Sequence, residues 1–280
     1  MIGAFEEPAG ENRREPGPRS LLLSIERAMA AKSDAPSARA QELYYDAMAA
    51  PTDEEELALL EKALKLDPGN VDVLLVLFSH EKCSAVEGIE FLRELVKLAE
   101  RRLGAEAFKE FAGMFWGFHE TRPYMRVRHT LAEHLRAAGR QEEAVAEYEG
   151  MLALNPGDNQ GVRYLLLPCL LTLQRLDAAR QLFEKYPDEF KYNVVFAWAR
   201  VLERFLSDDL PGAGAALAMA RKQNPHVQVY VKGHRQLPKT MPAAYAPGSK
   251  EEAICFADVV RAAWAKYPAA IKWLEAQKLQ

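Results

Sequence analysis

The chain is poor in cysteine and has no long apolar run, and both shortages limit what it can be. Cys83, Cys169 and Cys255 are odd in number and far apart, a spacing that fits neither a disulfide framework nor a zinc knuckle. Each lies in an apolar or helical stretch and reads as a reduced core thiol, so a cytoplasmic location is expected. No segment reaches the roughly 20 apolar residues of a membrane span. The run 71–78 is broken by Asp72 and the run 165–173 by Pro168. The apolar stretch 21–25 follows Arg13, Arg14 and Arg19, but it is too short for a secretory signal and runs into Glu26 and Arg27. A large excess of one charge is also missing. The net charge is −4, so no global positive field favours nucleic acid or anionic lipid.

Catalytic and cofactor signatures are equally scarce. There is no glycine-rich phosphate loop after a strand, no nucleophile elbow, no dinucleotide fingerprint and no paired-histidine zinc helix. Gly212-Ala213-Gly214 reads as a tight turn between helices. His80 and Cys83 supply only two metal ligands, and no second cluster completes a site. His129 and His134 are five residues apart and diverge on a helix. No catalytic residue, metal or cofactor is expected.

What the chain does have is helical periodicity punctuated by proline. Residues 1–20 hold Pro8, Gly10, Pro16, Gly17 and Pro18 among charges and are expected to be a disordered tail. A short helix and linker are expected over 21–36, with Ser37 capping the next helix. From 37 to 225 the spacing repeats. Ala144, Tyr148 and Pro156 stand 4 and then 8 residues apart, and the same intervals recur at Ala213, Leu217 and Pro225. They recur again at Glu56, Leu60 and Pro68, with a glutamate where a small residue is usual. Pro156 and Pro225 are 69 apart, two periods of 34 plus one residue, with the intervening copy visible as Ala178 and Leu182. Between Pro68 and Pro156 there is a surplus, placed as an inserted helix near 105–121 whose Phe108, Phe111, Phe115 and Phe118 step as a helical stripe. Residues 226–280 read as a Pro-rich loop to 248 and then a C-terminal helical cap. Ser249 and Pro268 open its two helices, and Trp264 and Trp273 seat the pair on the last repeat.

The best copy, 125–156, places Leu131 and Leu135 one turn apart, Gly139 at the turn, and Ala144 and Tyr148 one turn apart before Pro156. This resembles the tetratricopeptide consensus, departing from it at Arg128, where tryptophan is usual, and at Ala132, where glycine is usual. The resemblance implies an all-α, tetratricopeptide-like right-handed helical solenoid of antiparallel helix pairs with a C-terminal helical cap. Three longer strings, FWGFHETRPYMRVR at 115–128, LNPGDNQGVRYLLLP at 154–168 and NPHV at 224–227, resemble tetratricopeptide-like proteins related to the suppressor-of-tumorigenicity family. That likeness implies a non-enzymatic repeat protein and carries over no catalytic residues.

In such arrays the first helix of each pair lines the groove. Counting from Met125 places Arg126, His129, Glu133 and Arg136 on the groove stripe, and counting from Asn159 adds Gln160 and Arg163, with Arg122 at the edge. This set reads either as a contact surface for a protein or peptide partner with an acidic segment, or as internal ion pairs such as Arg126 with Glu120 and Arg163 with Asp158. The expected function is a protein-interaction scaffold or adaptor. The alternative is an enzyme or small-ligand sensor with a site near the 226–248 loop. Neither nucleic acid nor membrane is an expected partner, and the oligomeric state is left open.

Overall fold

The computed structural model describes residues 35–277. The tail expected over 1–20 and the helix expected over 21–33 lie outside the described residues. Within them every regular element is a helix and there is no strand, so the all-α expectation holds. Two compact units divide between Thr130 and Leu131.

The first unit opens with α1 (Pro36–Met48) and α2 (Asp53–Leu66), which pack on each other, followed by α3 (Val71–His80) and α4 (Ala85–Glu110). α1 starts two residues earlier than a cap at Ser37 would place it. Pro36 occupies its first turn, and Ala35 stands at the cap position without a side-chain bond, because the preset φ of proline suits a helix start. Thr52, Asn70 and Ser84 cap α2, α3 and α4 through their side-chain oxygens. Tyr44, Leu60, Ala63 and Val73 belong to a core cluster shared by α1, α2 and α3. Glu56 is buried at the small-residue position of its repeat, with its carboxylate 3.5 Å from His80 Nε2.

The helix expected near 105–121 ends at Glu110. Gly104 (φ 72°, ψ 160°) breaks α4, using a conformation open almost only to glycine. Beyond Phe111 the chain runs in successive turns, with Met114 N–H donating to Phe111 O (2.9 Å) and Gly117 N–H to Met114 O (2.8 Å). The four phenylalanines still pair, but by folding back. Phe108 meets Phe115 at 5.1 Å and Phe111 meets Phe118 at 4.2 Å. Phe115 is fully buried. Apolar spacing records which rings are buried together, and here a turn brings them together as well as a helix would.

α5 (Arg122–Ala137) carries the chain across the division. The second unit then holds α6 (Gln141–Leu154), α7 (Val162–Thr172), α8 (Leu176–Lys185), the single turn α9 (Glu189–Tyr192), α10 (Val194–Leu206) and α11 (Leu210–Gln223). Ala144, Tyr148, Ala213 and Leu217 are all buried, as the repeat register requires. In the intervening copy the register moves by one. Ala179 and Phe183 are the buried pair at the repeat spacing; Leu182 is buried as expected, but Ala178 is only half-buried. Ala179 stands 35 residues after Ala144 and 34 before Ala213, which accounts for the extra residue in the interval of 69.

Three turns between paired helices of the second unit share one geometry. Arg140 N–H donates back to Leu135 O (2.9 Å), Arg175 to Leu170 O (2.9 Å) and Asp209 to Arg204 O (3.0 Å). The residue before each donor is left-handed: Gly139 (φ 76°), Gln174 (φ 56°) and Asp208 (φ 57°). These are Schellman closures, and only the first has a glycine to adopt the conformation without strain.

After α11 the chain is helical again over Val227–Val231, α12, where an extended loop was expected. Asn224 directs this. Its Oδ1 accepts from His226 N–H (2.9 Å), and its Nδ2 donates to Glu252 Oε2 (2.8 Å) and Ser249 O (2.9 Å). From 232 to 249 the chain has no regular element. Ser249 caps α13 (Lys250–Ala265), and Pro268 opens α14 (Pro268–Ala276). α13 packs on α12, α10 and also α7. Trp264 meets Trp198 at 6.1 Å, Trp273 meets Phe205 at 5.5 Å, and the Tyr267 hydroxyl donates to Leu171 O (2.7 Å). The C-terminal pair therefore covers first helices of two repeats rather than the last one alone.

Candidate partner-binding site

In the first unit Arg122, Arg126 and His129 lie on α5 and are half-buried. Arg126 forks onto Asp72, with Nε–H donating to Oδ1 (2.8 Å) and Nη2–H to Oδ2 (2.6 Å). Asp72 is fully buried and also accepts from Gln41 Nε2 (3.2 Å), while Gln41 Oε1 accepts from Asn70 (3.0 Å). The arginine, expected to pair with Glu120 if paired internally, is held instead by a carboxylate 54 residues away. Such a pair fixes the helices that carry it, because leaving Asp72 alone would strand a charge in the core. Arg122 stacks over Trp116 (5.5 Å) and donates from Nε to Trp116 O (2.8 Å), tying the aromatic turn to the start of α5. Beside these residues a pocket of about 400 Å³ opens in the first unit. Val71, Leu103, Phe111 and Tyr124 line it, with Arg102 and Gln41 among its polar groups. Arg102 is clasped to Asp67 through two hydrogen bonds (2.9 and 2.7 Å).

In the second unit Glu133 lies on α5, Gln160 in the turn before α7 and Arg163 on α7. Arg163 uses all five N–H donors within its own chain. Nε and Nη2 reach Glu189 Oε1 (3.0 and 2.8 Å), Nη1 reaches Asp158 O and Oδ2 (3.1 and 2.7 Å), and Nη2 also reaches the Tyr164 hydroxyl (2.6 Å). Tyr164 and Tyr186 stack on the guanidinium at 4.3 and 5.1 Å. Burial opposes its charge, but the hydrogen bond to Asp158 and the charges around it prevail and raise its pKa above the ordinary arginine value. The one-residue register change matters here. Measured back from the buried alanine of each repeat, Arg163 is the counterpart of Arg128, and Tyr164 is the counterpart of His129. Sequence counting from Asn159 therefore placed Arg163 one position off the stripe.

A family model for the tetratricopeptide repeat matches residues 135–191. The match covers α6, α7 and α8, where the closures at Gly139 and Gln174 and the buried Ala144 and Ala179 recur. No curated protein matches the chain. Among the described residues no three His, Cys, Asp or Glu side chains are grouped to hold a metal ion, and no helix is long and apolar enough to cross a membrane.

Proposed function

We propose that the chain is a protein-interaction scaffold or adaptor whose partner, carrying an acidic segment, contacts the first helices of its repeats. The observation that carries this reading is the tetratricopeptide match, since a repeat of helix pairs offers a large side-chain surface to a partner. The contact residues proposed are Arg122 and His129 in the first unit and Glu133 and Gln160 in the second. Arg126 and Arg163 hold those faces in shape through their internal ion pairs. The likeness of the strings at 115–128 and 154–168 to suppressor-of-tumorigenicity relatives belongs to the same proposal.

The test is affinity capture on the immobilised full chain, followed by direct calorimetry with the purified captured protein. The double substitution His129→Ala with Gln160→Ala is expected to weaken that binding at least about tenfold while the melting temperature holds, two lost polar contacts at about 1 kcal/mol each. Undiminished binding by the folded variant would remove these residues from the site. No direct binding by any captured protein would count against the scaffold itself.

A further inference from the structure

Where α8, α9 and α10 meet in the second unit, a guanidinium has no hydrogen bond among the described residues. Arg200 on α10 lies over Phe183 at 5.1 Å and over Phe190 at 5.4 Å. The two ring centroids are 5.0 Å apart, so the three positions form a nearly equilateral triangle. The guanidinium thus rests on the seam of the two rings, with both on the same side of it. No hydrogen bond among the described residues reaches it. Its ion-pair contact, Nη1 to Glu203 Oε2, is 3.8 Å, too long for a hydrogen bond.

The groups around it do not make up the deficit. Glu203 is fully buried, and its Oε1 accepts from Arg180 Nε–H (2.7 Å). Its Oε2 accepts no hydrogen bond and lies 3.6 Å from Arg204 Nε. Arg204 itself bonds Asp209 (3.0 Å). Burial first, and then the charge of Arg204 one helical turn away, push the pKa of Arg200 below its ordinary value. The Arg200 side chain is 28% exposed, so it is in part open to solvent.

We propose that Arg200, with Arg204 beside it, is a binding site for a carboxylate carried on an acidic segment of a protein partner. A planar two-oxygen anion matches the N–H edge of a guanidinium whose face is already seated on aromatic rings. It also relieves the repulsion between two arginines spaced i and i+4. The site deepens the interaction reading and rests on it for the source of the carboxylate, but the binding is measurable without the partner.

The experiment uses the full chain and a fluorescein-labelled hexaglutamate peptide, followed by anisotropy at low salt. Arg200→Gln is expected to weaken binding at least about tenfold, the scale of one charge-assisted pair. Arg200→Lys, which keeps the charge and most of the stem, is expected to retain part of it. In the parent chain labelled with ¹⁵N-arginine, the Arg200 Nε–H resonance is expected to shift through the titration. This readout stands even if Arg200→Gln does not fold. An Arg200 resonance unmoved at peptide saturation, or equal binding by Arg200→Gln, overturns the proposal and leaves the residue serving Glu203 alone. Inorganic phosphate displacing the labelled peptide at lower concentration than unlabelled hexaglutamate does would overturn the carboxylate assignment. Failure of the partner capture above leaves this measurement standing, and failure here leaves the contacts on α5 and before α7 standing.

Discussion

At the scale of single residues, the three closures at Gly139, Gln174 and Asp208 show the same backbone made by different side chains. A left-handed conformation costs an ordinary L-residue about 1 kcal/mol and glycine almost nothing. Gln174→Gly is therefore expected to stabilise the second unit by up to about 1 kcal/mol, measured as a rise in the denaturation midpoint. A fall would show that the Gln174 side chain makes a contact worth more than the strain. Ala144 is fully buried at the small position of its repeat, so Ala144→Leu is expected to cost about 1–3 kcal/mol by overpacking. An unchanged melting temperature would place the repeat register elsewhere. The three cysteines also separate at this scale. Burial pushes the Cys169 thiol up to about 12, whereas Cys83 is exposed. Since the thiolate is the reacting form, a thiol reagent at pH 8 is expected to modify Cys83 readily and Cys169 only after unfolding, with peptide mapping as the check.

At the scale of elements, ion pairs buried across helices replace some of the apolar packing usual in a repeat. Asp72 on α3 is fully buried against Arg126 on α5. Arg126→Ala is expected to cost about 3–5 kcal/mol, because it strands a buried carboxylate. Removing both charges, Arg126→Met with Asp72→Leu, is expected to cost less than the single change. Urea unfolding of the pair of variants checks this, and a double variant at least as damaged as the single one would refute it. The same substitution of ion pair for packing explains why the first-helix arginines looked like a binding stripe. An arginine spaced on a helix face reads the same in sequence whether its partner is a ligand or a distant carboxylate.

At the scale of the whole chain, the C-terminal helices are part of the second unit's core rather than an appendage. Trp264 is fully buried beside Trp198, and α13 lies on both α7 and α10. Trp264→Ala is expected to cost about 3–5 kcal/mol, and to shift the emission of the remaining tryptophans to the red. A variant as stable as the parent would mean that α13 is not docked.

The sequence by itself determined the helical class, the paired-helix repeat with its buried small and large residues, and the starts of α13 and α14. All of these are local: periodicity, proline and capping side chains act within a few residues of where they stand. Only the tertiary structure decided the rest. It set the register of the middle repeat, because the extra residue in the interval of 69 can fall on either side of that copy until Ala179 rather than Ala178 is seen buried. It turned the phenylalanine stripe into a folded-back loop, because ring burial is satisfied by either backbone once Gly104 breaks the helix. It also divided the arginines between clasp and candidate site. Arg126 found Asp72 54 residues away and Arg163 found Glu189 26 away, whereas Arg200 came to rest on two phenylalanine rings with its edge unbonded. Whether a charge is spent internally depends on which distant residue folding brings beside it, and no short-range pattern encodes that.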